Sequence, residues 1–137
     1  MNLGFFTMPM HPIGKDWSQS LAEDREAFIL ADELGFVEGL CGEHNTDPEE
    51  NITSSAMFIA TLASATKNIK LGTGTINMPN HHPVTTASHI AMLDHLLKGR
   101  LLLGISPGAL PSDAEAFGNI DMDRPAMFLE AINTVLQ

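Results

Sequence analysis

Apolar residues follow two alternating patterns along this chain. Four short runs are rich in apolar residues and are bounded by turn-forming residues; they cover residues 3–8, 36–41, 69–76 and 101–106. The third is weakened by Gly72 and Gly74, and the fourth is nearly continuously apolar. Continuous apolar runs of this length are typical of strands that are covered on both faces, as in a parallel sheet. We therefore predict four buried strands.

The segments between these runs carry apolar residues at helical spacing. Ser18 or Ser20 is expected to cap the first helix, and Gly35 is placed to end it. Residues 107–123 are predicted to form a polar loop. The other boundary signals are a cap at Thr53, Ser54 or Ser55 for the second helix, Pro83 and Gly99 at the two ends of the third, and a last helix over residues 124–136.

The predicted order is β-α-β-α-β-α-β-α, which is typical of an α/β fold with βαβ crossovers. Two architectures fit: a small open sheet with helices on both faces, or half of a closed barrel of about 250 residues. An open nucleotide-binding sheet should have a glycine-rich phosphate turn after its first strand. The segment there is Met8-Pro9-Met10-His11-Pro12, and no P-loop occurs elsewhere, so this class of site loses its main support.

Composition argues against several classes of partner. The net charge is −10, with 17 acidic against 7 basic residues and no cluster of Lys and Arg. We therefore expect no nucleic-acid partner and no binding to an anionic membrane. Cys41 is the only cysteine, so no disulfide can form within the chain, and the N-terminus does not resemble a signal peptide. No apolar run approaches the roughly 20 residues of a membrane span, and we expect a cytoplasmic protein.

Candidate chemical groups follow the predicted strands, at the carboxyl ends where parallel α/β folds collect functional residues. His44 directly follows Glu43 after the second strand, and histidine suits proton transfer near neutral pH. Glu43 is interpreted either as a partner that orients His44 or as a solvated loop acid. His11 and His82 have structural alternatives, His82 as a cap for the third helix. No metal-binding motif occurs, and we predict no metal site.

Several short segments occur together in a characteristic order and spacing. They are Leu34-Gly35-Phe36, Gly42-Glu43-His44-Asn45, Leu71-Gly72-Thr73-Gly74-Thr75, His82-Pro83-Val84, Leu93 to Leu101, Gly104 to Gly108, and Phe117-Gly118. Through these segments the chain resembles the bacterial-luciferase-like flavin-dependent monooxygenases from about residue 3 to residue 130. The stretch from Ser106 to Asp113 is similar to the limonene-monooxygenase branch of this family.

The resemblance implies a fold and an activity. Residues 1–137 would be a single partial domain, the N-terminal (βα)₄ half of a TIM (β/α)₈ barrel. The activity would be oxidation of a small organic substrate by O₂ with reduced FMN, which a separate flavin reductase supplies. One branch of the family uses a deazaflavin instead, which leaves a deazaflavin-dependent oxidoreductase as an alternative.

The resemblance also implies roles for particular residues. His44 would handle protons at the active site with Glu43 beside it, and Ser106 would face the reactive edge of the flavin. The backbone of Thr73, Gly74 and Thr75 would lie against the flavin ring, with a cis peptide bond between Gly74 and Thr75. Arg124 would take over part of the phosphate binding, because Pro107 replaces an arginine of the family.

Four strands alone would leave two open sheet edges and much uncovered apolar surface. We therefore expect a homodimer, or packing against another chain. A third functional hypothesis follows from the same point: a non-catalytic half-barrel that acts as an oligomerising or partner-binding module.

Overall fold

The structure is a computed structural model that describes residues 1–137, and its strands form two parallel sheets, one of four strands and one of two. Strands β1, β2, β3 and β5 lie side by side in that order, all parallel, and β4 and β6 extend the sheet as a second parallel pair. The strands are β1 Gly4–Thr7, β2 Glu38–Cys41, β3 Lys70–Thr73, β4 Ile76–Asn77, β5 Leu101–Leu102 and β6 Ile105–Ser106.

Five α-helices connect or follow the strands. They are α1 Trp17–Glu33, α2 Ser55–Leu62, α3 Pro83–Leu97, α4 Pro111–Ala116 and α5 Arg124–Val135, with one 3₁₀ turn at Met78–Asn80. None of these helices is both long enough and apolar enough to cross a membrane.

One face of the sheet packs against the helices and carries the core. Phe5 and Leu71 point to this face, and the ring of Phe28 from α1 meets Phe5 edge-on at 5.0 Å and Phe58 of α2 at 5.6 Å. Gly39 of β2 lies directly beneath Phe28 and beside Ile69: a Cβ at this position would be 3.1 Å from each of these two side chains. The missing side chain therefore lets α1 pack closely on β2.

The opposite face of the sheet is apolar and largely uncovered. Phe6, Leu40, Gly72 and Leu102 are register partners in one row across the four strands. Phe6 is 59% exposed, whereas the core side chains on the helical face are buried. In a closed barrel such a row faces the interior, so we call it the inner face.

Local signals at the helix ends were mostly predicted, with one error. Ser54 caps α2 by accepting a hydrogen bond from the amide of Met57 at 3.2 Å, and Gly35 ends α1 with φ of +81°. The predicted cap of α1 at Ser18 or Ser20 is wrong. Asp16 caps this helix by accepting from the amide of Gln19 at 2.9 Å, and an aspartate is as good a cap as a serine.

The predicted loop over residues 107–123 is also wrong in part, because it contains helix α4. Pro111 begins this helix at a position where its missing N–H costs nothing. The helix spans only six residues, Pro111–Ala116. A helix this short leaves too little periodicity to be seen in the sequence.

The third and fourth predicted strands are each broken in two. The peptide bond between Gly74 and Thr75 is cis, as the family resemblance implied, and it separates β3 from β4. Across the break, Thr73 Oγ1 donates to the Gly104 carbonyl at 2.7 Å and accepts from the Gly104 amide at 3.0 Å. A side chain thus satisfies backbone groups that a regular ladder would pair.

Candidate active site

The candidate site lies where the strands end at their carboxyl side. The loop after β2 carries Glu43 and His44, the break after β3 carries Gly74 and Thr75, and β6 ends at Ser106. All strands are parallel, so these residues meet at one edge of the sheet. Of the six residues predicted from the sequence, Glu43, Thr75 and Ser106 are linked by hydrogen bonds through Asn77. Gly74 adjoins Thr75 through the cis peptide bond, and His44 contacts Asp113. Thr73 is fully buried and bonds to Gly104.

His44 is half-buried, and its ring is held by a residue that sequence reasoning missed. Its Nδ1 atom lies 3.1 Å from Oδ2 of Asp113 on α4. Its Nε2 atom has no hydrogen-bond partner within the chain and is not sealed from solvent. Glu43, the adjacent acid that was considered as the orienting partner, contacts a different histidine.

Asp113 is buried, with a 1% exposed residue surface, and its carboxylate is fully hydrogen-bonded. Oδ1 accepts from the amides of Asn45 at 3.1 Å and Thr46 at 2.9 Å and from Thr46 Oγ1 at 2.7 Å. Burial by itself would raise the pKa of Asp113, but the hydrogen bonds from Thr46, His44 and Asn45 outweigh it and hold the pKa below its usual value. The carboxylate is therefore ionised near neutral pH.

Glu43 is a second buried carboxylate, and it ties three segments together. Oε2 accepts from the amide and hydroxyl of Ser55 at 2.9 and 2.7 Å, at the first turn of α2. Oε1 accepts from the Asn77 amide at 3.2 Å and contacts His81 Nε2 at 3.3 Å. Burial raises the pKa of Glu43, but the hydrogen bonds from His81, Ser55 and Asn77 outweigh it and lower the pKa overall. Both oxygens are engaged, so Glu43 is not free to contact a ligand directly.

Ser106 forms the centre of a hydrogen-bond relay. Its Oγ accepts from Thr75 Oγ1 at 2.7 Å and from the Gly108 amide at 3.1 Å, and donates to Asn77 Oδ1 at 2.9 Å. Asn77 then leads to Glu43 through its backbone amide. The Ser106 hydroxyl is thus fully occupied within the chain, and it fixes the turn that follows β6.

Gly74 and Thr75 provide a surface on which a flat ligand could lie. Both are half-buried on the sheet, and the exposed part of Gly74 is backbone because it has no side chain. The missing Cβ of Gly74 also makes room for Phe6, whose Cε2 would lie 2.8 Å from that atom. Small residues let a ring system approach the backbone closely, so this partly exposed pair suits a planar cofactor. Thr73 is fully buried and bonds to Gly104.

Arg124 is a basic group beside the turn after β6. Its Nη2 atom donates to the Pro107 carbonyl at 2.6 Å and its Nη1 atom to Asn119 Oδ1 at 3.3 Å. A Cβ on Gly108, where φ is +75°, would lie 2.6 Å from Arg124 Nη2. The glycine thus makes room for the guanidinium group.

The remaining histidines lie outside this cluster or play other parts. His11 Nε2 contacts both carboxylate oxygens of Asp24 at 3.0 and 3.1 Å, which ties the loop after β1 to α1. His82 is the residue before α3, but its side chain makes no capping hydrogen bond. No group of three or more His, Cys, Asp or Glu side chains is arranged to hold a metal ion.

Sequence reasoning assigned no site role to Asp113, Asn77 or His81. Asp113 lay in a segment predicted as loop, so nothing marked it as a partner for His44. Asn77 had one available signal, since it directly follows a predicted strand. His81 could be found only through its contact with Glu43, which lies 38 residues away along the chain.

The comparison with protein families decides the identity of this fold. The model of the family described as luciferase-like monooxygenase matches residues 1–137. The chain belongs to the luciferase-like monooxygenase family. The recognition that rested on short segments is thereby confirmed.

Two curated relatives of this luciferase-like chain that match almost all of it are monooxygenases. It is 40% identical over 139 residues to 4-hydroxyprotoasukamycin monooxygenase of Streptomyces nodosus subsp. asukaensis, which covers 99% of this chain and 38% of the relative. It is 36% identical over 135 residues to limonene 1,2-monooxygenase of Rhodococcus erythropolis, covering 98% of this chain and 35% of the relative. The chain thus spans less than two fifths of the length of these relatives.

A solved structure confirms the predicted fold class. The oxygenating constituent of 3,6-diketocamphane monooxygenase from Pseudomonas putida, a type II Baeyer–Villiger monooxygenase in complex with FMN, superposes on this luciferase-like chain with a TM-score of 0.91 at 28% identity. The match covers 97% of this chain and 38% of that structure. The parallel βα arrangement is therefore the half-barrel fold of this family.

Proposed function

We propose that residues 1–137 provide one half of the active site of an FMN-dependent monooxygenase, which oxidises a small organic substrate with O₂. The observation that carries this proposal is the placement of His44, Ser106 and the partly exposed Gly74–Thr75 pair at the carboxyl ends of parallel strands, in a chain of this family. The same edge carries functional residues in parallel α/β folds generally. The relatives that match almost the whole chain are monooxygenases, which supports the same reaction class.

The residues present fit FMN. Gly74 and Thr75 offer a partly exposed surface of small residues for the isoalloxazine ring, and Arg124 is the cation at the turn after β6 that would meet the phosphate. Reduced FMN, when bound, supplies the electrons that activate O₂. The chain's part is to orient the ring, to exclude water with its inner face and to move protons at His44. The relative solved with FMN favours this cofactor over a deazaflavin.

Glu43 and Ser106 were predicted as catalytic residues, and their hydrogen bonds support a positioning role. Glu43 holds Ser55, Asn77 and His81, and none of its oxygens is free. Ser106 is saturated by Thr75, Asn77 and Gly108 and keeps the turn next to the proposed flavin position in place. Among the predicted catalytic residues, His44 alone has a free nitrogen for proton transfer.

The apolar character of the inner face favours an uncharged, apolar substrate. Phe6 is 59% exposed there and Met8 37% exposed at the end of β1. Two basic residues lie at this edge. Lys15 contacts His11 and Glu23, and Arg124, at the start of α5, holds the Pro107 carbonyl and is the residue proposed to meet the FMN phosphate. An anionic substrate such as a sulfonate would find no free cation in this half of the site.

We further propose that a separate flavin reductase delivers the reduced FMN, as in the family that the sequence resembles. A homodimer is proposed to cover the outer faces of α2 and α3, where Met57, Met92 and Leu96 are at least half exposed. Cys41 is buried and unpaired, which is compatible with the cytoplasm as the compartment.

Titration of the chain with oxidised FMN, followed by flavin fluorescence, tests this function. We expect saturable binding that Arg124→Gln weakens about 10-fold or more, because a charge-assisted phosphate contact contributes about 1.5–3 kcal/mol. Arg25→Gln is the matched control: Arg25 lies on α1 and donates to the Thr61 carbonyl, so FMN affinity should not change. In the complete protein, reductase-coupled oxygen consumption with apolar ketones or terpenes is the second readout.

The opposite results favour other functions. Stronger binding of a deazaflavin than of FMN would support the deazaflavin-dependent alternative. A stable oligomer that binds neither cofactor, with no oxygenation by the complete protein, would favour a non-catalytic half-barrel. Light scattering on the titrated sample gives the mass of the species that binds or fails to bind the cofactor, and so its oligomeric state.

A further inference from the structure

The loop after β2 and helix α4 are joined almost entirely through one carboxylate. Asp113 contacts His44 through Oδ2 and the two following residues through Oδ1. Thr46 Oγ1 also lies 2.7 Å from Oγ of Ser112, the residue before Asp113. The position of the His44 ring is therefore set by α4 and not by the neighbouring Glu43.

The chemistry of this contact selects one form of the imidazole. An ionised carboxylate has no proton to donate, so the hydrogen bond to Oδ2 requires a proton on Nδ1 of His44. In the neutral ring the lone pair then lies on Nε2, the nitrogen that has no partner within the chain.

We propose that Asp113 is a positioning residue that fixes His44 in the Nδ1–H tautomer and leaves Nε2 as its proton-accepting atom. The role of Nε2 toward substrate or cofactor rests on the proposed function, whereas the tautomer does not. Asp113 acts only through His44, since its own side chain is 2% exposed and its Oδ1 already accepts three hydrogen bonds.

The surroundings of Asp113 make one substitution particularly informative. In Asp113→Asn the amide oxygen must stay at the Oδ1 position, because three donors from Asn45 and Thr46 converge there. The amide nitrogen then occupies the Oδ2 position and points its hydrogens at Nδ1 of His44. Nδ1 must become the acceptor, and the proton moves to Nε2. A nearly isosteric change thus reverses the tautomer, as a buried Asp→Asn change does beside a catalytic histidine in serine proteases.

The experiment is NMR of the chain labelled with ¹⁵N-histidine, which at 14.8 kDa is small enough for long-range ¹H–¹⁵N spectra. The spectra are recorded at about pH 9, where histidine side chains are generally neutral and their tautomers differ in ¹⁵N shift. His44→Gln identifies the His44 signals among the six histidines. We expect mainly Nδ1–H for His44 in the parent chain and mainly Nε2–H in Asp113→Asn.

Asp24→Asn is the matched control. Asp24 contacts His11 in a similar histidine–aspartate pair outside the site, so this variant should change the His11 signals and leave those of His44 unchanged. In the complete protein we expect Asp113→Asn to lower kcat about 100-fold or more with little change in KM, because Nε2 can no longer accept a proton.

Each outcome bears on the proposal. An Nε2–H tautomer for His44 in the parent chain overturns it, and this result needs no variant to fold. An unchanged tautomer in a folded Asp113→Asn chain overturns it as well. A reversed tautomer supports the proposal even where FMN fails to bind, and that failure would count against the proposed function alone.

Discussion

Thr75 Oγ1 donates a hydrogen bond to Ser106 Oγ at 2.7 Å and so joins the residue after the cis peptide to the end of β6. Ser106 Oγ in turn donates a hydrogen bond to Asn77 Oδ1 at 2.9 Å. The backbone proposed to carry the flavin and the turn proposed to meet its phosphate are therefore positioned by one hydroxyl group.

Ser106→Ala removes this connection and leaves the hydroxyl of Thr75 without its acceptor and Oδ1 of Asn77 without its donor. We expect the free energy of unfolding to fall by about 1–3 kcal/mol, the usual cost of unpaired buried polar groups. FMN affinity should fall in parallel, because the turn at Pro107 and Gly108 loses its anchor. Urea denaturation and FMN titration measure the two effects.

Ser88→Ala is the control for this prediction. Ser88 is exposed on α3 and bonds only to carbonyls of its own helix, at Val84 and Thr85. Its replacement should change stability by less than about 0.5 kcal/mol. Equal effects of the two substitutions would mean that the relay through Ser106 has no special structural role.

The helix ends and the βα order were predictable because they depend on neighbours in the sequence. Ser54 caps the helix that begins one residue later, and Gly35 ends a helix through its own positive φ. The position of His44 at the end of β2 followed from the same local pattern. Local chemistry thus gave the fold class and the edge at which the site lies.

The connections within the site were not predictable because they join distant residues. Asp113 and His44 are 69 residues apart, and Thr73 and Gly104 are 31 apart. The apolar pattern over residues 69–76 continues through the strand break, because Gly74 and Thr75 are both compatible with a strand. Only the family resemblance, which implied the cis peptide bond after Gly74, pointed to the break; the pairing of Thr73 with Gly104 across it was not predictable.

Gly104 is required by the close approach of two strands. A Cβ at this position would lie 2.1 Å from the Thr73 carbonyl oxygen, a backbone atom that cannot move aside easily. We expect Gly104→Ala to lower the free energy of unfolding by more than about 2 kcal/mol, at the upper end for overpacking. Gly4→Ala is the control, because its nearest atoms lie at 3.9 Å. Chemical denaturation measures the free energy of unfolding of both variants. If Gly104→Ala were as stable as Gly4→Ala, the close approach of Gly104 to the Thr73 carbonyl would be contradicted.

The chain should lose stability in acid through three buried or partly buried carboxylates. For Asp32, burial raises the pKa, but the backbone amides of Lys67, Ile69 and Asn68 outweigh it and lower the pKa overall. The pKa values of Glu43 and Asp113 are lowered in the same way. Each group therefore contributes stability that is present above about pH 4 and is lost as the pH falls through its lowered folded value.

Glu43→Gln tests this acid dependence. Because the group no longer titrates, the unfolding free energy should fall less steeply below about pH 4, by up to about 1.4 kcal/mol per pH unit. Glu33→Gln on the exposed end of α1 serves as the control and should keep the parent slope. The pH dependence of stability that Glu50 contributes has the opposite sign, because burial raises the pKa of Glu50. Its contribution to stability is lost as the pH rises through that raised value. A parent-like slope in Glu43→Gln would contradict an ionised Glu43 in the folded chain.

The outer faces of α2 and α3 carry the proposed dimer contact. Met57 is 73% exposed, Met92 60% and Leu96 50%, and the last two lie one helical turn apart on α3. We expect Met92→Glu combined with Leu96→Glu to convert the dimer to a monomer, because two buried carboxylates would face an apolar surface without partners. Sedimentation velocity measures the mass. Leu30→Glu, at a similarly exposed position of α1, should leave the dimer intact. A parent chain that sediments at 14.8 kDa, or a dimer that survives both charges, would exclude this face as the contact.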